Sequence, residues 1–355
     1  MKKNNHSGGE TPKQQHYVYR KHLAPWTATK RSDGKIYCYK TDEKRIFPSN
    51  LTGVAQERYF NEYKVLTELE KIVAYFISRS NDFEGSGNDS FMFSVASLRS
   101  ISEINDIEKY VDKNTFQSDE MSAFDRVRRQ LGEKAQGFYE EYGLIYLSRL
   151  LENDASFFEC ENDRVKFFFY LMVQYSRTKK LRLQFKNSFK YTPDALRVII
   201  EAHGHELALV NIPFDKSIAL NELNSINESL DLEKVHPYVL DGLVHFVVKG
   251  LLARRKPELK FINAPSGCEF LTGDQPVVNL GGDEGDPSFF CPISPQKAIV
   301  VAFDKIKRNE FASEGEMLYY NQKLVENSGM YIFSTSEDNL EREIKNISRL
   351  CDEGS

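Results

Sequence analysis

Four short segments near the C-terminus decide the fold class: Leu259-Lys260-Phe261-Ile262, Glu269-Phe270-Leu271-Thr272, Ser288-Phe289-Phe290-Cys291 and Ala298-Ile299-Val300-Val301-Ala302-Phe303. Each is rich in aromatic or β-branched residues and too short for a typical helix, so each is predicted to be a strand. The same pattern predicts a strand over residues 331–334, between helices near 315–327 and 337–350. This region is therefore built mainly from strands.

Two further strands are predicted near the N-terminus, at Lys35-Ile36-Tyr37-Cys38-Tyr39-Lys40 and Lys44-Arg45-Ile46-Phe47, with a turn between them. Helical spacing prevails between these two strand regions, with clear helices over 121–152 and 161–186, whereas residues 81–89 are predicted to be an exposed loop and the stretch from there to 118 is weakly patterned. The order of strands, helices and strands indicates an α+β protein. We expect the N- and C-terminal strands to form one mixed or antiparallel sheet packed against a helical middle region.

The predicted organisation is a short tail followed by one domain. Residues 1–15 are polar and are predicted to be a flexible tail. A single α+β domain is predicted over 16–355, with N-terminal strands in 16–62, a helical region in 63–257, and C-terminal strands and helices in 258–355.

Composition excludes several classes of protein. The chain has 355 residues and a net charge of −5, which argues against a protein that is basic over its whole surface but allows a local basic groove. No apolar run approaches the length of a membrane span, and no apolar core follows the charged N-terminus. The five cysteines are scattered and form no C-x-x-C pair, which favours a reduced, cytoplasmic protein. The oligomeric state stays open.

Three polar segments could carry chemistry: His16-Tyr17-Val18-Tyr19, Gln174-Tyr175-Ser176-Arg177-Thr178, and Thr272-Gly273-Asp274-Gln275-Pro276-Val277, with Pro292-Ile293-Ser294-Pro295 shortly after. In this order they resemble a mainly bacterial family known as domain of unknown function 4238. That family has a His-Tyr-Val-Pro-like segment, a Gln-x-x-Arg-Thr-like segment, a Thr-Ser-Asp-Asn-Pro-Val-like segment and a Pro-Leu-Ser-Pro-like segment. The resemblance covers about residues 16–335.

The chain departs from the family pattern at four positions. Tyr19 and Lys179 stand where the family commonly has Pro, and Gly273 and Gln275 replace Ser and Asn beside Asp274. The His, Arg and Asp of the pattern are kept. The resemblance implies no activity, so the chemistry must be argued from the side chains.

Three of the candidate catalytic residues are His16, Gln174 and Arg177. His16 can transfer a proton near neutral pH, or its ring can simply pin the N-terminal segment onto the core. An inward-facing Arg177 needs an anion, because an unpaired buried guanidinium is costly. That anion could be Asp274 or a substrate phosphate or carboxylate, and Gln174 would share the helix face of Arg177.

The fourth candidate is Asp274, at the end of an apolar strand beside Gly273 and Pro276. A carboxylate in such a place is suited to be a catalytic acid or a Mg²⁺ ligand. It could equally cap its own backbone in an Asx-turn. Asp274 is thus the candidate metal ligand, and Mg²⁺ is the predicted cofactor.

A basic, partly aromatic run follows Arg177 and has no acid before Asp194. Such a run could track a phosphate backbone, or it could be a solvated helix face. The predicted nucleic-acid-binding residues are Lys179, Lys180, Arg182, Lys186 and Lys190, together with Arg128 and Arg129.

Two functions are consistent with these residues. The first is a hydrolase of a phosphate-bearing substrate, a metal-dependent nuclease of RNA or DNA, in which Asp274 holds Mg²⁺ or moves a proton, His16 moves a proton and Arg177 stabilises phosphate charge. Gln174 would orient His16 or the substrate. Such an enzyme could be a toxic effector in bacterial anti-phage defence, with an antitoxin as protein partner. The second is a non-catalytic module that binds nucleic acid or a protein, in which His16, Arg177 and Asp274 form a structural polar network.

Overall fold

The computed structural model of the chain describes residues 14–31, 34–58, 60–80, 89–110, 118–188, 191–226, 230, 232–281, 286–303 and 312–353. Residues 1–13 of the predicted tail and Lys190 of the basic run lie outside these ranges. Gln14 and Gln15, which were assigned to the tail, belong to a strand.

The strands of the described residues are short. They are β1 (Gln14–His16), β2 (Lys35–Lys40), β3 (Arg45–Asn50), β4 (Gln56–Arg58), β5 (Glu258–Asn263), β6 (Thr272–Gly273), β7 (Val278–Asn279), β8 (Ser288–Ser294), β9 (Lys297–Ala302) and β10 (Tyr331–Ser334).

The helices dominate the middle of the chain. They are α1 (Arg20–Leu23), α2 (Glu68–Ser80), α3 (Asp89–Tyr110), α4 (Ser118–Leu151), α5 (Glu161–Ser176), α6 (Lys179–Ser188), α7 (Pro193–Leu209), α8 (Lys216–Asn224), α9 (His236–Arg254), α10 (Glu314–Asn327) and α11 (Glu337–Glu353). Within the described ranges, none of these helices has both the length and the apolar character that crossing a bilayer requires.

The two ends of the chain meet in one sheet, as predicted. Its strand order is β3-β2-β10-β6, and every pair in it is antiparallel. Strand β10 lies between an N-terminal and a C-terminal strand, with Phe333 opposite both Cys38 and Thr272. The α+β class with shared terminal strands around a helical middle is therefore confirmed.

A second antiparallel sheet, in the order β5-β9-β8-β7, is buried on both faces. Phe289 and Val301 pack into a core cluster with α4, α5 and α9, whereas Phe290 and Val300 pack into a cluster that includes α10. Because side chains alternate between the faces of a strand, covering both faces requires nearly continuous apolar sequence. This explains why β8 and β9 are apolar without alternating.

The helix predicted over 161–186 is wrong in one important respect, because it is two helices. Helix α5 ends at Ser176, α6 begins at Lys179, and Arg177 and Thr178 form the break. The Thr178 hydroxyl accepts a hydrogen bond from the Leu181 backbone N–H at 3.4 Å, which starts the new helix as an N-cap residue does. The break sets the direction in which the Arg177 side chain leaves the backbone.

Candidate functional site

Arg177 lies at the centre of a buried polar network and is only 1% exposed. Its Nε donates to the Tyr17 carbonyl oxygen at 3.1 Å, and its Nη2 donates to Gln174 Oε1 at 3.3 Å. The same Nη2 lies 2.6 Å from Glu140 Oε1 on α4. These contacts join the N-terminal segment to α4 and to the end of α5.

The anion that Arg177 requires is supplied by Glu140, not by Asp274 or by an open site. The carboxylate of Glu140 is 18% exposed, so the ion pair is largely shielded from water. Burial raises the pKa of Glu140, and the charge of Arg177 partly opposes that shift. Glu140 was not among the residues singled out from the sequence, since nothing in the surface-like pattern of α4 marks it.

Gln174 is fully buried and connects two of the motif segments. Its Oε1 accepts a hydrogen bond from the Tyr19 backbone N–H at 3.4 Å as well as from Arg177. Arg177 lies just after the end of α5 and not on its face as predicted, but its side chain still contacts Gln174. Gln174 acts here as an acceptor that holds the segment after His16 against α5.

Asp274 is 3% exposed and binds backbone groups of the loop before β10. Its Oδ1 accepts from the Gly329 N–H at 2.7 Å, and its Oδ2 accepts from the Met330 and Tyr331 N–H groups at 2.7 and 3.2 Å. Burial raises the pKa of Asp274, while these three N–H groups oppose the shift by stabilising the carboxylate. The carboxylate therefore caps a turn, although the turn belongs to a distant segment and not to its own backbone.

These contacts do not fit a Mg²⁺ site at Asp274. Both carboxylate oxygens already accept backbone hydrogen bonds, and a Mg²⁺ ion prefers six oxygen ligands in octahedral geometry. Within the described part of the chain, no group of three His, Cys, Asp or Glu side chains is placed to hold a metal ion. Mg²⁺ at Asp274 gains no support from this arrangement.

His16 is half-buried at the edge of the network. Its Nδ1 lies 3.1 Å from the Val54 carbonyl oxygen, which can only accept, so Nδ1 carries the proton of the neutral ring. Burial and the nearby charge of Arg20 lower the pKa of His16 to about 4. The ring is therefore neutral near pH 7 and pins the N-terminal segment to the turn before β4.

Further contacts in the same region were not anticipated from the sequence. The Trp26 indole Nε1 donates to the Phe270 carbonyl oxygen at 2.8 Å, and Gln275 Nε2 donates to the Tyr175 carbonyl oxygen at 3.0 Å. The Thr178 hydroxyl donates to Gln275 Oε1. The two bonds of Gln275 join the second and third motif segments. The sequence showed the order of the motif segments but did not indicate which of their residues contact one another.

The predicted basic run is mostly engaged with the protein itself. Lys179 pairs with Glu57 at 2.5 Å, and Lys180 Nζ donates to the Glu326 carbonyl oxygen at 3.0 Å. The Arg182 guanidinium carbon lies 3.7 Å from the centre of the Phe60 ring. Burial lowers the pKa of Arg182 to about 10.

The remaining basic candidates are engaged in a similar way. Arg128 is 7% exposed, Arg129 pairs with Glu62 at 3.2 Å, and Lys186 is half-buried. These cations do not form one open track along α6. Their contacts fix α6 and the start of α4 against neighbouring segments.

A different group of cations lines an open depression, here named the basic cleft, with a volume of about 760 Å³. Its basic residues are Lys21, Lys30, Arg31 and Lys297, and its lining contains no Asp or Glu among the residues that the structure describes. Lys297 Nζ donates to the Leu151 carbonyl oxygen at 2.7 Å, at the negative end of the α4 dipole. The basic cleft thus has a positive wall built from both ends of the chain.

One motif segment lines the basic cleft, and residues shortly after another line it as well. Ser294 and Pro295 belong to the Pro-Ile-Ser-Pro segment at the end of β8, and Lys21 and Pro25 follow the His16-Tyr17-Val18-Tyr19 segment. The Trp26 ring, which is fully buried and hydrogen-bonded to Phe270, anchors one wall. The basic cleft could have been suspected from Lys21, Lys30 and Arg31, but Lys297 joins them only through the fold.

Comparison with known proteins gives a family and no activity. The model of the family described as "Protein of unknown function (DUF4238)" matches residues 14–340, which includes all four motif segments. Searches of the curated proteins and of the solved structures found no match. The chain therefore belongs to the DUF4238 family.

Proposed function

We propose that the protein is a non-catalytic nucleic-acid-binding module, that the basic cleft takes the phosphate backbone, and that His16, Arg177 and Asp274 are architectural. The observation that carries the proposal is a cleft whose lining, among the described residues, includes four cations and no acid. Clustered cations attract phosphates and release counterions when they bind them.

The buried network supports this proposal by fixing the walls of the basic cleft. Arg177 and Gln174 hold the backbone of Tyr17 and Tyr19, just before the residues that carry Lys21. Trp26 joins the same segment to Phe270 in the C-terminal part of the chain. A preorganised wall binds more tightly because less side-chain and loop entropy is lost on binding.

The nuclease hypothesis draws less support from the same contacts. A substrate phosphate at Arg177 would have to displace Glu140, and a metal ion at Asp274 would have to displace backbone N–H groups of the loop before β10. Both residues are also nearly inaccessible to solvent. Roles in a toxic effector system and with an antitoxin stay predictions.

The direct test is the binding of fluorescein-labelled single-stranded RNA and DNA, measured by anisotropy over a series of salt concentrations. The variant is Lys21→Glu/Lys30→Glu, and the matched control is Lys345→Glu/Arg349→Glu on exposed positions of α11, which changes the net charge equally. We expect Lys21→Glu/Lys30→Glu to bind the oligonucleotides at least about tenfold more weakly than the wild type, and the control variant to bind them as the wild type does. The logarithm of the binding constant falls linearly with the logarithm of the salt concentration. Losing two phosphate contacts should make that slope less steep by about 1.4.

Equal affinity loss in both double variants would contradict the proposal, because the effect would then come from net charge and not from the basic cleft. The same oligonucleotides incubated with Mg²⁺ and the wild type, Asp274→Asn or His16→Gln test the nuclease hypothesis. We expect no cleavage in any sample. If the wild type cleaves the oligonucleotides and both variants do not, Asp274 and His16 have a catalytic role.

We also propose that the protein works in the cytoplasm. The described cysteines Cys38, Cys160, Cys268 and Cys291 are all free thiols, and two of them are buried. Free thiols persist in a reducing compartment. Alkylation of the native protein freshly released from its source should modify Cys160, the exposed thiol, without prior reduction.

A further inference from the structure

A second depression, here named the aromatic cleft, lies between α3, α4 and α5, apart from the basic cleft and its motif segments. Its volume is about 710 Å³, within the range of pockets that hold small organic ligands. The residues that carry the argument are Lys134, Phe138, Tyr139, Tyr142, Lys166 and Phe169. None of them belongs to the polar network described above.

The aromatic rings of this cleft form a surface suited to a flat ligand. The Tyr139 and Phe169 rings are stacked with centroids 6.1 Å apart, and the Phe138 and Tyr142 rings meet edge to face at 4.8 Å. Phe138 is 56% exposed and lines the cleft. A planar ring inserted here would cover Phe138 and stack on its neighbours.

The charged side chains of the aromatic cleft favour a negatively charged ligand. Lys166 Nζ lies 5.5 Å from the centre of the Tyr142 ring, and Lys134 is exposed on the same side of α4 as Phe138. Within the described residues neither ammonium group forms an ion pair, and no Asp or Glu lines the cleft. Two ammonium groups beside stacked rings match an anionic group attached to an aromatic ring.

We infer that the aromatic cleft is a binding site for a planar aromatic anion. The rings would hold the flat part of the ligand, and Lys134 and Lys166 would hold its phosphate, sulfonate or carboxylate. The inference is independent of the proposed function, because no residue of the basic cleft takes part in it.

The test uses 8-anilinonaphthalene-1-sulfonate, a planar aromatic anion whose fluorescence rises on binding, with the neutral dye Nile red for comparison. Lys134→Gln/Lys166→Gln should raise the dissociation constant for the anionic dye about tenfold and leave Nile red binding unchanged. Ser97→Phe, which fills the cleft from α3, should abolish the binding of both dyes. Lys345→Gln/Arg349→Gln is the charge-matched control, and Lys21→Glu/Lys30→Glu should bind both dyes as the wild type does.

Competition then identifies the source of the anion. Displacement of the dye by adenosine monophosphate indicates a nucleotide, and displacement by indole-3-carboxylate indicates an aromatic carboxylic acid; either result supports the inference. Displacement by neither compound overturns it. The inference is also overturned if both Lys134→Gln/Lys166→Gln and Ser97→Phe leave the affinity for the anionic dye unchanged. Near-ultraviolet circular dichroism must show in that case that each variant is folded.

Discussion

The contact between Arg177 and Glu140 allows the sharpest test of whether the motif residues are architectural. Arg177→Met removes the guanidinium group but keeps most of the aliphatic volume. It leaves the Glu140 carboxylate and the Tyr17 carbonyl oxygen without the Arg177 donor, and leaves Gln174 Oε1 with the Tyr19 N–H, in a site where Arg177 is 1% exposed. Breaking a buried ion pair by removing one partner costs about 3–5 kcal/mol.

The matched control is Lys216→Met, which removes the cation from an exposed pair with Glu201 in which the two side chains are 48% and 53% exposed. Such a pair contributes about 0–1 kcal/mol. A double variant, Arg177→Met/Glu140→Leu, removes both charges and should be less destabilised than Arg177→Met alone, because no buried carboxylate is left unpaired. The burial of each ion pair therefore determines which of the three variants loses most stability.

The assay is urea unfolding followed by far-ultraviolet circular dichroism and by tryptophan fluorescence. The chain has one tryptophan, Trp26, and its fully buried ring lies in the same network, so its fluorescence reports on the region that the substitution disturbs. If Arg177→Met costs no more than Lys216→Met, the architectural reasoning is refuted. Loss of an active-site residue is usually tolerated or stabilising, so that result would favour catalysis.

Three further predictions follow from the same contacts. Asp274→Ala should cost about 3 kcal/mol or more in urea unfolding, since three backbone N–H groups lose their acceptor, and Asp274→Asn should cost less because one oxygen remains. Burial lowers the pKa of His22 from its ordinary 6.5 to about 4, so the unfolded state binds the proton first. His22 should contribute about 3 kcal/mol to the loss of stability as pH drops from 6.5 towards 4, in addition to the loss from His16, and the fall should be shallower in His22→Phe. A Cβ at Gly273 would lie 2.2 Å from Ser328 Oγ, so Gly273→Ala should lower the melting temperature and Ser328→Gly should restore part of the loss; no loss in Gly273→Ala would contradict the close packing.

The polar site was predictable to different degrees at different residues. The high cost of burying a guanidinium group correctly predicted that Arg177 would need an anion, but not that the anion would be Glu140. Glu140 lies on α4 and Arg177, 37 positions later, lies in the break after α5, and the packing of α4 against α5 brings them together. In the same way, Asp274 was expected at a strand end, whereas its ligands, the N–H groups of residues 329–331, come from a loop next to it only in the sheet.

The elements themselves follow from local pattern. Helical spacing and apolar strand segments indicated the α+β class, the β2–β3 hairpin and the strand pattern of β8 and β9, because burial of one or two faces leaves a periodic trace in the chain. Local pattern could not locate the break between α5 and α6 or the engagement of Lys179, Lys180 and Arg182, since whether a charged side chain faces solvent or a partner depends on segments far away in sequence. The basic cleft also exists only because folding brings Lys21 and Lys297 together. Its positive charge comes from residues far apart in the sequence, so no short segment of the chain reveals it.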